Sequence, residues 1–481
     1  DKMLEKQIQM VDLRRQYERL RSEINPAMQT VIDACAFING PQVKEFCNHL
    51  SGYLGVPYVI PCGNGTDALQ ISLMALDLHP GDEVNDPAFT NIAAAEVALA
   101  LGLVPVLVDV DPGTFNIDPE KIEDALSEKT RAIIAVHLFG QCCDMEPILR
   151  IASRHNLYVI EDNAQSIGAN YTFSDGTVKK ACTIASIGTT SFFPSKPLAC
   201  YGDGGAMFTS DARLAERLRM IANHGQKVKY HHALVGCNSR LDTLQAAVLD
   251  VKLRYLDEFA AARCKVAARY DAAFSGLKTV RKPLKSVFSS HVYHQYTVQL
   301  AVEKRDQVQA ALKERGIPSM IYYPLPLQEQ EVMRGRVPPP LSGLKTGALL
   351  QNGEVGGGVH VEHLVEAQAA QGGDHLTLHV GADGQAEALA QGDPDGGGGA
   401  HHHVLGGVVQ GGQHAGGVVL FGEGAGGAGH DALAAGDAVH LGQVPVEGAA
   451  DVGGEAAVVG ADDPHLLVLP AHGGAAAAQD A

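Results

Sequence analysis

Lys196 stands between Pro194-Ser195 and Pro197 and is followed by Gly202, Gly204 and Gly205, all within Thr189–Ala206 (TTSFFPSKPLACYGDGGA). A lysine wedged into an apolar, proline-stiffened turn is stripped of water, which lowers its pKa and frees the amine to attack a carbonyl. Schiff-base lysines are made this way; a solvated lysine in a Gly/Pro loop is the plain alternative for this stretch alone. Upstream, CGNGTDALQISLMAL (Cys62–Leu76) is a glycine-rich turn entering a helix whose Leu69, Leu73 and Leu76 share a face. The backbone N–H groups of Gly65, Thr66 and Asp67 then stand at a helix N-terminus, with the Thr66 hydroxyl as a further donor for a phosphate. Simple N-capping by Thr66 or Asp67 would explain the same residues. The apolar run Tyr158-Val159-Ile160 opens into Glu161-Asp162-Asn163-Ala164-Gln165, placing an acid and an amide at a strand's carboxyl edge. No His/Asp cluster at ligand spacing accompanies these acids, so no metal is expected. A carboxylate kept ionised against a protonated ring nitrogen, making a cofactor an electron sink, fits better. Phe89, after Asp86-Pro87-Ala88, could lay its ring on such a cofactor or belong to the core.

The elements that must hold these residues follow from periodicity. Met10 to Ala34 reads as an amphipathic helix with Leu13, Tyr17, Leu20, Ile24, Met28 and Val31 at three- and four-residue steps. A turn at Asn39-Gly40-Pro41 leads to a second helix over Gln42–Gly52 and a short strand at Tyr58–Ile60. Helices around Ile92–Leu101, Pro119–Leu126 and Asp144–His155 then alternate with strands at Val104–Val110, Ala132–His137, Leu157–Glu161 and Ser186–Phe192. The strands are apolar on both sides, as in a sheet covered on both faces. This rhythm implies a largely parallel, three-layer α/β domain with ligands at the carboxyl ends of its strands. Further on, Asp211–Ile221 is helical, and Asn238 and Arg240 lie in a loop with no apolar neighbours to explain them as packing. A long helix over Leu241–Phe274, a strand at Tyr293–Ala301, a helix over Asp306–Arg315 and a strand at Ser319–Tyr323 would begin a smaller domain.

The last third is written differently. From Glu331 to Ala481 lie about 35 of the 54 glycines and about 12 of the 21 histidines, one Phe (Phe421) and no Tyr, Ile or Cys. About −15 of the net charge of −18 belongs there, so the first 330 residues are nearly neutral and carry no basic patch for nucleic acid. Too little bulk is present to offset ordering, and disorder is expected. A flexible tail and a His-rich metal-binding segment are possible readings, but the change falls inside an unfinished domain, which favours out-of-frame or opposite-strand translation of GC-rich DNA. All nine cysteines precede this tail, without CxxC spacing, as in a reduced, cytoplasmic protein. No apolar leader or run of 18 apolar residues suggests secretion or a membrane span. The expected division is an N-terminal helix (1–36), a large α/β domain (37–250), the start of a small α+β domain (251–330) and a low-complexity tail (331–481).

An ordered series of motifs resembles the DegT/DnrJ/StrS family of pyridoxal-phosphate-dependent sugar aminotransferases. It comprises VDLRRQY (11–17), FINGPQV (37–43), GNGTDAL (63–69), PGDEV (80–84), AFTNIA (88–93), VDVDPGTFNIDP (108–119), HLFGQCCDM (137–145), IEDNAQSIGA (160–169), SFFPSKPLACYGDGGA (191–206), NHGQ (223–226), GCNSRLDTLQAAVL (236–249) and YYPLPL (322–327), where it stops. The resemblance implies the fold type I aminotransferase architecture, pyridoxal 5'-phosphate, L-glutamate as donor and a homodimer with sites shared between chains. By the same resemblance Lys196 is the Schiff-base lysine, Asp162 partners the pyridinium nitrogen and Gln165 lies near the phenolic oxygen. Gly65, Thr66, Asp67, Ser191 and, from a second subunit, Asn238 contact the phosphate; Phe89 stacks on the ring; Arg240 and Tyr323 meet substrate. The runs TTSFFPSKPL, HGQKVKYHH and NSRLDTLQAA look most like enzymes that aminate the 3-position of a UDP-linked 2-acetamido-3-oxo-hexuronic acid, an O-antigen precursor. Amination of another dTDP- or UDP-keto-sugar and a non-catalytic regulator on the same fold are the alternatives; Lys196 speaks against the family's dehydratases, and a purely structural protein leaves the constellation unexplained. Three departures stand out: Ala199 where the family usually has Gly, Asn85-Asp86 in place of an apolar residue and a Thr or Val, and the tail in place of the closing helix and strand.

Overall fold

The computed structural model describes residues 8–338, Leu344 and the strands His375–Val380, Ala386–Gln391 and Val418–Phe421. Helix α1 (Leu13–Ala34) starts where the Asp12 carboxylate accepts the Arg15 N–H at 3.0 Å and ends at a left-handed Cys35. Its buried stripe, Leu20, Ile24 and Val31, includes the spacings that the sequence suggested, and Leu20 and Ile24 pack with Val248, Val251 and Phe259. Helix α2 (Pro41–Leu54) follows, opened by a proline in its first turn and closed by Gly55 at φ 72°.

The central sheet is built from β1 (Tyr58–Cys62), β2 (Glu83–Pro87), β3 (Val104–Val108), β4 (Thr130–Val136), β5 (Tyr158–Asp162), and, after the small ribbon β6 (Asn170–Thr172) and β7 (Val178–Lys180), β8 (Ile187–Ser191) and β9 (Gly205–Thr209). Its order is β1-β9-β8-β5-β4-β2-β3. Strands β8, β5, β4, β2 and β3 run parallel, and β9 is antiparallel to both its neighbours. Helices α3 (Gly65–Ala75), α4 (Ala93–Ala100), α5 (Pro119–Ile122), α6 (Met145–His155) and α7 (Ala212–Ala222) cover it, giving separate apolar clusters on its two faces. The three-layer, mainly parallel reading holds. Its addition is β9, which sequence reading left inside the glycine loop: the fully buried GAMFT run pairs with β1 and β8 and closes that side of the sheet.

The helix expected over Leu241–Phe274 is two helices, α8 (Thr243–Leu253) and α9 (Leu256–Ala273). The break at Arg254-Tyr255 aims Tyr255 at α1, where its hydroxyl donates to Glu23 and the Arg19 guanidinium lies 5.5 Å from its ring, while Leu256 and Phe259 stay buried. After the small ribbon β10 (Gln226–Val228) and β11 (His231–His232), the strand expected over Tyr293–Ala301 shortens to β12 (Thr297–Gln299), because Tyr293 adopts φ 48° and stacks on His291 at 3.9 Å instead of extending. Helix α10 (Val302–Glu314) and β13 (Ser319–Met320) complete the βαβ unit.

Two observations bear on the tail. Met333 and Leu344 are buried with Leu327 against Ala88, Ala95 and Leu107, so packed chain continues past the expected boundary at 330. Within the segment expected to be disordered, β14 (His375–Val380) pairs with β15 (Ala386–Gln391), and β16 (Val418–Phe421) lies antiparallel between β12 and β13. The VVLF run of β16 is one of the tail's few continuous apolar stretches, which is what a strand between two others requires. The rest of the segment, with the His401–His403 run, lies outside the described residues.

Candidate active site

Parallel strands deliver their carboxyl ends to one edge, and the register aligns them there: Val136 of β4 lies opposite Asp162 of β5, and Asp162 opposite Thr189 of β8. At that edge a cavity of about 610 Å³ opens, whose lining includes Gly65, Thr66, Ser191, Asp162, Gln165 and Lys196. Tyr322 and Tyr323 close over it from the small domain's connection.

The helix N-terminus is arranged differently from the expectation. Its cap is Asn64, whose side-chain oxygen accepts the Asp67 N–H at 2.8 Å, so that donor is committed and Gly65 and Thr66 face the cavity. Gly65 is required by a close approach: a Cβ there would meet the Ser191 Cβ at 2.7 Å. The end of β8 therefore sits directly against the start of α3, bringing the Ser191 and Thr66 hydroxyls to one wall. The Asp67 carboxylate accepts from the Ser239 hydroxyl at 2.5 Å, and that hydroxyl accepts the Gly63 N–H at 2.8 Å. Asp67 thus anchors the loop that carries Asn238 and Arg240. Both of those residues are exposed and neither lines this chain's cavity.

The two neighbouring acids of β5 have separate tasks. Glu161 is fully buried and accepts from His137 Nε2 at 3.0 Å and from the N–H groups of Cys182, Ile184 and Ala185 at 2.7–2.8 Å. The Cys143 N–H points at His137 Nδ1, which assigns the imidazole proton to Nε2. Glu161 is structural, and Glu161→Ala should destabilise the chain by about 3 kcal/mol or more by stranding four donors; a denaturation midpoint equal to the parent's would disprove the assignment. Asp162 turns into the cavity instead. Burial raises its carboxyl above the usual carboxylate range, while the Ala164 N–H at 3.0 Å, Lys196 and His137 pull it down. A cation placed against it from the cavity would favour its ionised form.

Lys196 sits in a turn closed by its own N–H to the Phe193 carbonyl at 2.8 Å. Ala199, where the resemblance led us to look for glycine, is buried and is absent from the positive-φ residues, so its Cβ costs the loop nothing. Gln165 accepts the Phe139 N–H at 2.6 Å and turns its amide toward the Tyr323 hydroxyl at 3.5 Å. Burial, with Tyr322 adding to it, holds the Tyr323 phenol protonated well above its ordinary range. Phe89 is 1 % exposed, stacked on Phe115 at 5.5 Å and edge-on to Tyr323 at 5.6 Å, and it is not among the residues that line the cavity. Sequence reading missed Asn64, His294 and Gln295, which also line the cavity. Alternation places Tyr293-His294-Gln295 at the start of the strand expected over Tyr293–Ala301, which gives these residues no site role.

These residues fit a phosphorylated pyridine cofactor. Helix-start N–H groups with two hydroxyls suit a phosphate, an acid lacking a strong cation suits a ring nitrogen, and an amine stands within electrostatic reach of that acid. Among the described residues no group of three or more His, Cys, Asp and Glu side chains could hold a metal, and no helix is long and apolar enough to cross a membrane.

The sequence model of the DegT/DnrJ/EryC1/StrS aminotransferase family matches residues 18–346. Over 323 residues, 67% of this chain and 88% of the relative, the chain is 48% identical to a UDP-2-acetamido-2-deoxy-3-oxo-D-glucuronate aminotransferase of Pseudomonas aeruginosa. Over 329 residues, 68% and 86% of the two chains, it is 47% identical to a pleiotropic regulatory protein of Geobacillus stearothermophilus. The crystal structure of NtdA from Bacillus subtilis with bound cofactor PMP superposes with a TM-score of 0.62 at 34% identity, covering 68% of this chain and 74% of that one. The family match runs to residue 346, beyond the Leu327 at which the motif series stops, in agreement with the buried Met333 and Leu344.

Proposed function

Because the chain belongs to the DegT/DnrJ/EryC1/StrS aminotransferase family, whose members use pyridoxal phosphate, we propose that it transfers the amino group of L-glutamate to a UDP-linked 2-acetamido-3-oxo-hexuronic acid in the cytoplasm, for O-antigen or related polysaccharide precursors. The observation that carries this reading is that Lys196, Asp162 and the Thr66–Ser191 wall open on one cavity. The identity of the substrate is supported by the name of the 48% identical relative. The bound cofactor supplies an electron sink and a carrier for the amino group.

The chain's own residues do the rest. Gly65 and Thr66 bind the phosphate with backbone N–H groups, and the Thr66 and Ser191 hydroxyls fix its orientation. Asp162 holds the proton on the ring nitrogen. Lys196 Nζ, in the same cavity as Asp162, would serve as the base and acid that moves the proton at the donor's amine-bearing carbon. Gln165 and Tyr323, already paired, border the phenolic side, and Tyr322 with Tyr323 limits water. Purified protein given glutamate should aminate the UDP-3-oxo-uronate at least tenfold faster, by kcat/KM, than a dTDP-3-oxo-sugar; the reverse order would move the chain to another branch of the family. A regulator on this fold would need the core but not Lys196, Asp162 and Gln165 together, and would show no turnover with either sugar.

The exposure of Asn238 and Arg240 beside an anchored Ser239 supports sites shared between two chains. Asn238 would reach the partner's phosphate and Arg240 the partner's substrate, which makes a homodimer obligatory. Mixing Lys196→Ala with Asn238→Ala chains should therefore regenerate one intact site per mixed dimer and recover roughly a quarter of parental activity, on random pairing, from two nearly inactive parents. Activity that never exceeds the sum of the separate variants contradicts the sharing.

A further inference from the structure

Asp86 lies near the carboxyl end of β2, and the sheet register fixes its side. Asn85 is opposite Ile133 of β4, and Ile134 of β4 is opposite Ile160 of β5. Alternation therefore puts Asp86, Ile134 and Ile160 on one face, together with Val136 and Asp162 two residues further on. Val136 and Asp162 reach the cavity, whereas Asp86 stays behind them at 1 % exposure. Among the described residues neither of its carboxylate oxygens has a hydrogen-bond partner, and the same face carries the apolar Val84, Ile134 and Ile160. Opposite it on β3 stands Leu107. Burial, with the charge of Asp162 adding to it, pushes the Asp86 carboxyl well above the usual carboxylate range. Packing alone would place an apolar residue or a threonine here; a buried acid without a donor is the least favourable choice for stability.

We propose that Asp86 is a positioning residue for Asp162: the two acids on one sheet face form a coupled pair that carries a single negative charge at neutral pH, and that charge resides on Asp162. This rests on the reading of Asp162 as the partner of the cofactor's ring nitrogen. Like charges so placed give up their protons in two separated steps. Asp162 ionises first because the Ala164 N–H and Lys196 support its charge. Asp86 has no such support and keeps its proton. Among the described residues the other titratable groups near this face are the half-buried Tyr323, whose ring meets Phe89 edge-on, and the buried Asp109 just past the end of β3, and neither supplies a positive charge. When alkali removes the second proton, the added charge makes the ring nitrogen hold its own proton more tightly. Asp86 thereby extends the protonated-ring form of the cofactor to higher pH.

Infrared spectroscopy of the cofactor-free chain at pH 7.5 tests the pair without any reference to catalysis. A protonated-carboxyl C=O band is expected in the parent, persisting in Asp162→Asn and missing in Asp86→Asn; a parent spectrum without that band overturns the proposal whether or not the cofactor reading stands. With pyridoxal phosphate bound, the alkaline limb of the cofactor's visible spectrum should move down by about one pH unit in Asp86→Asn and in Asp86→Thr, a tenfold change in proton affinity. The stability of the same variants carries a sign. The folded chain's tighter hold on this proton contributes fully below the unfolded carboxylate value and is lost as pH rises toward the raised folded value. Denaturation midpoints of the variants should therefore match the parent's near pH 4 or below and exceed it increasingly above. A variant that is less stable than the parent at pH 7.5 and keeps the parent's alkaline limb identifies Asp86 as ordinary packing and ends the proposal.

Discussion

Lys196→Ala is expected to abolish turnover, by at least about 10⁴-fold in kcat, because one amine both attaches the cofactor and moves its protons. The loss should fall on kcat while glutamate's apparent affinity changes little. Cofactor should still bind, more weakly and without a covalent link, through Gly65, Thr66 and Ser191. Exogenous ethylamine should recover part of the rate, as expected when only a proton carrier is missing. Full activity in this variant, or rescue by no amine together with loss of the fold, would remove Lys196 from the chemistry.

Asp162→Asn changes one atom at the end of β5 and should lower kcat by roughly 10²–10⁴-fold, because an amide cannot keep the ring nitrogen protonated. The charge-assisted contact also contributes to holding the cofactor, so its affinity should fall by roughly 10- to 100-fold. The fold should be unaffected, in contrast to Glu161→Ala one residue earlier, because Asp162 accepts only the Ala164 N–H whereas Glu161 satisfies four donors. Parallel measurements on the two variants therefore separate an acid that works on the ligand from one that works on the chain. Equal turnover in Asp162→Asn and the parent would leave Asp162 as a cavity-wall carboxylate and nothing more.

The pattern of residues exposed the large domain and most of the cavity because both depend on local order. Apolar runs mark parallel strands buried on both faces, and in parallel sheets the residues just after those runs must gather at one edge, as Asp162, Gln165 and Ser191 do. What stayed hidden depends on partners far away in sequence. Nothing near Tyr255 announces a helix break, since its reason is Glu23 and Arg19 of α1. Phe89 reads as a free aromatic until Phe115 and Tyr323 are seen on either side of it. Asn64 was overlooked as the cap because Thr66 and Asp67, two and three residues later, are equally good capping types. In the tail a glycine-rich average conceals short apolar runs such as Val418–Phe421, which pairs with β12 and β13. The motif series likewise stopped short, because Met333 and Leu344 are joined to the family pattern by burial against Ala88 and Leu107 and by no chemistry of their own.

The central claim is that Lys196 is the amine that meets the cofactor. Loading the chain with pyridoxal phosphate, reducing it with borohydride and mapping the peptides by mass spectrometry reads this directly. The account predicts one pyridoxyl-phosphate adduct per chain, on the peptide containing Lys196, and its disappearance when L-glutamate is added before the reduction. An adduct spread over surface lysines, one confined to a different lysine, or one that glutamate does not prevent would contradict it.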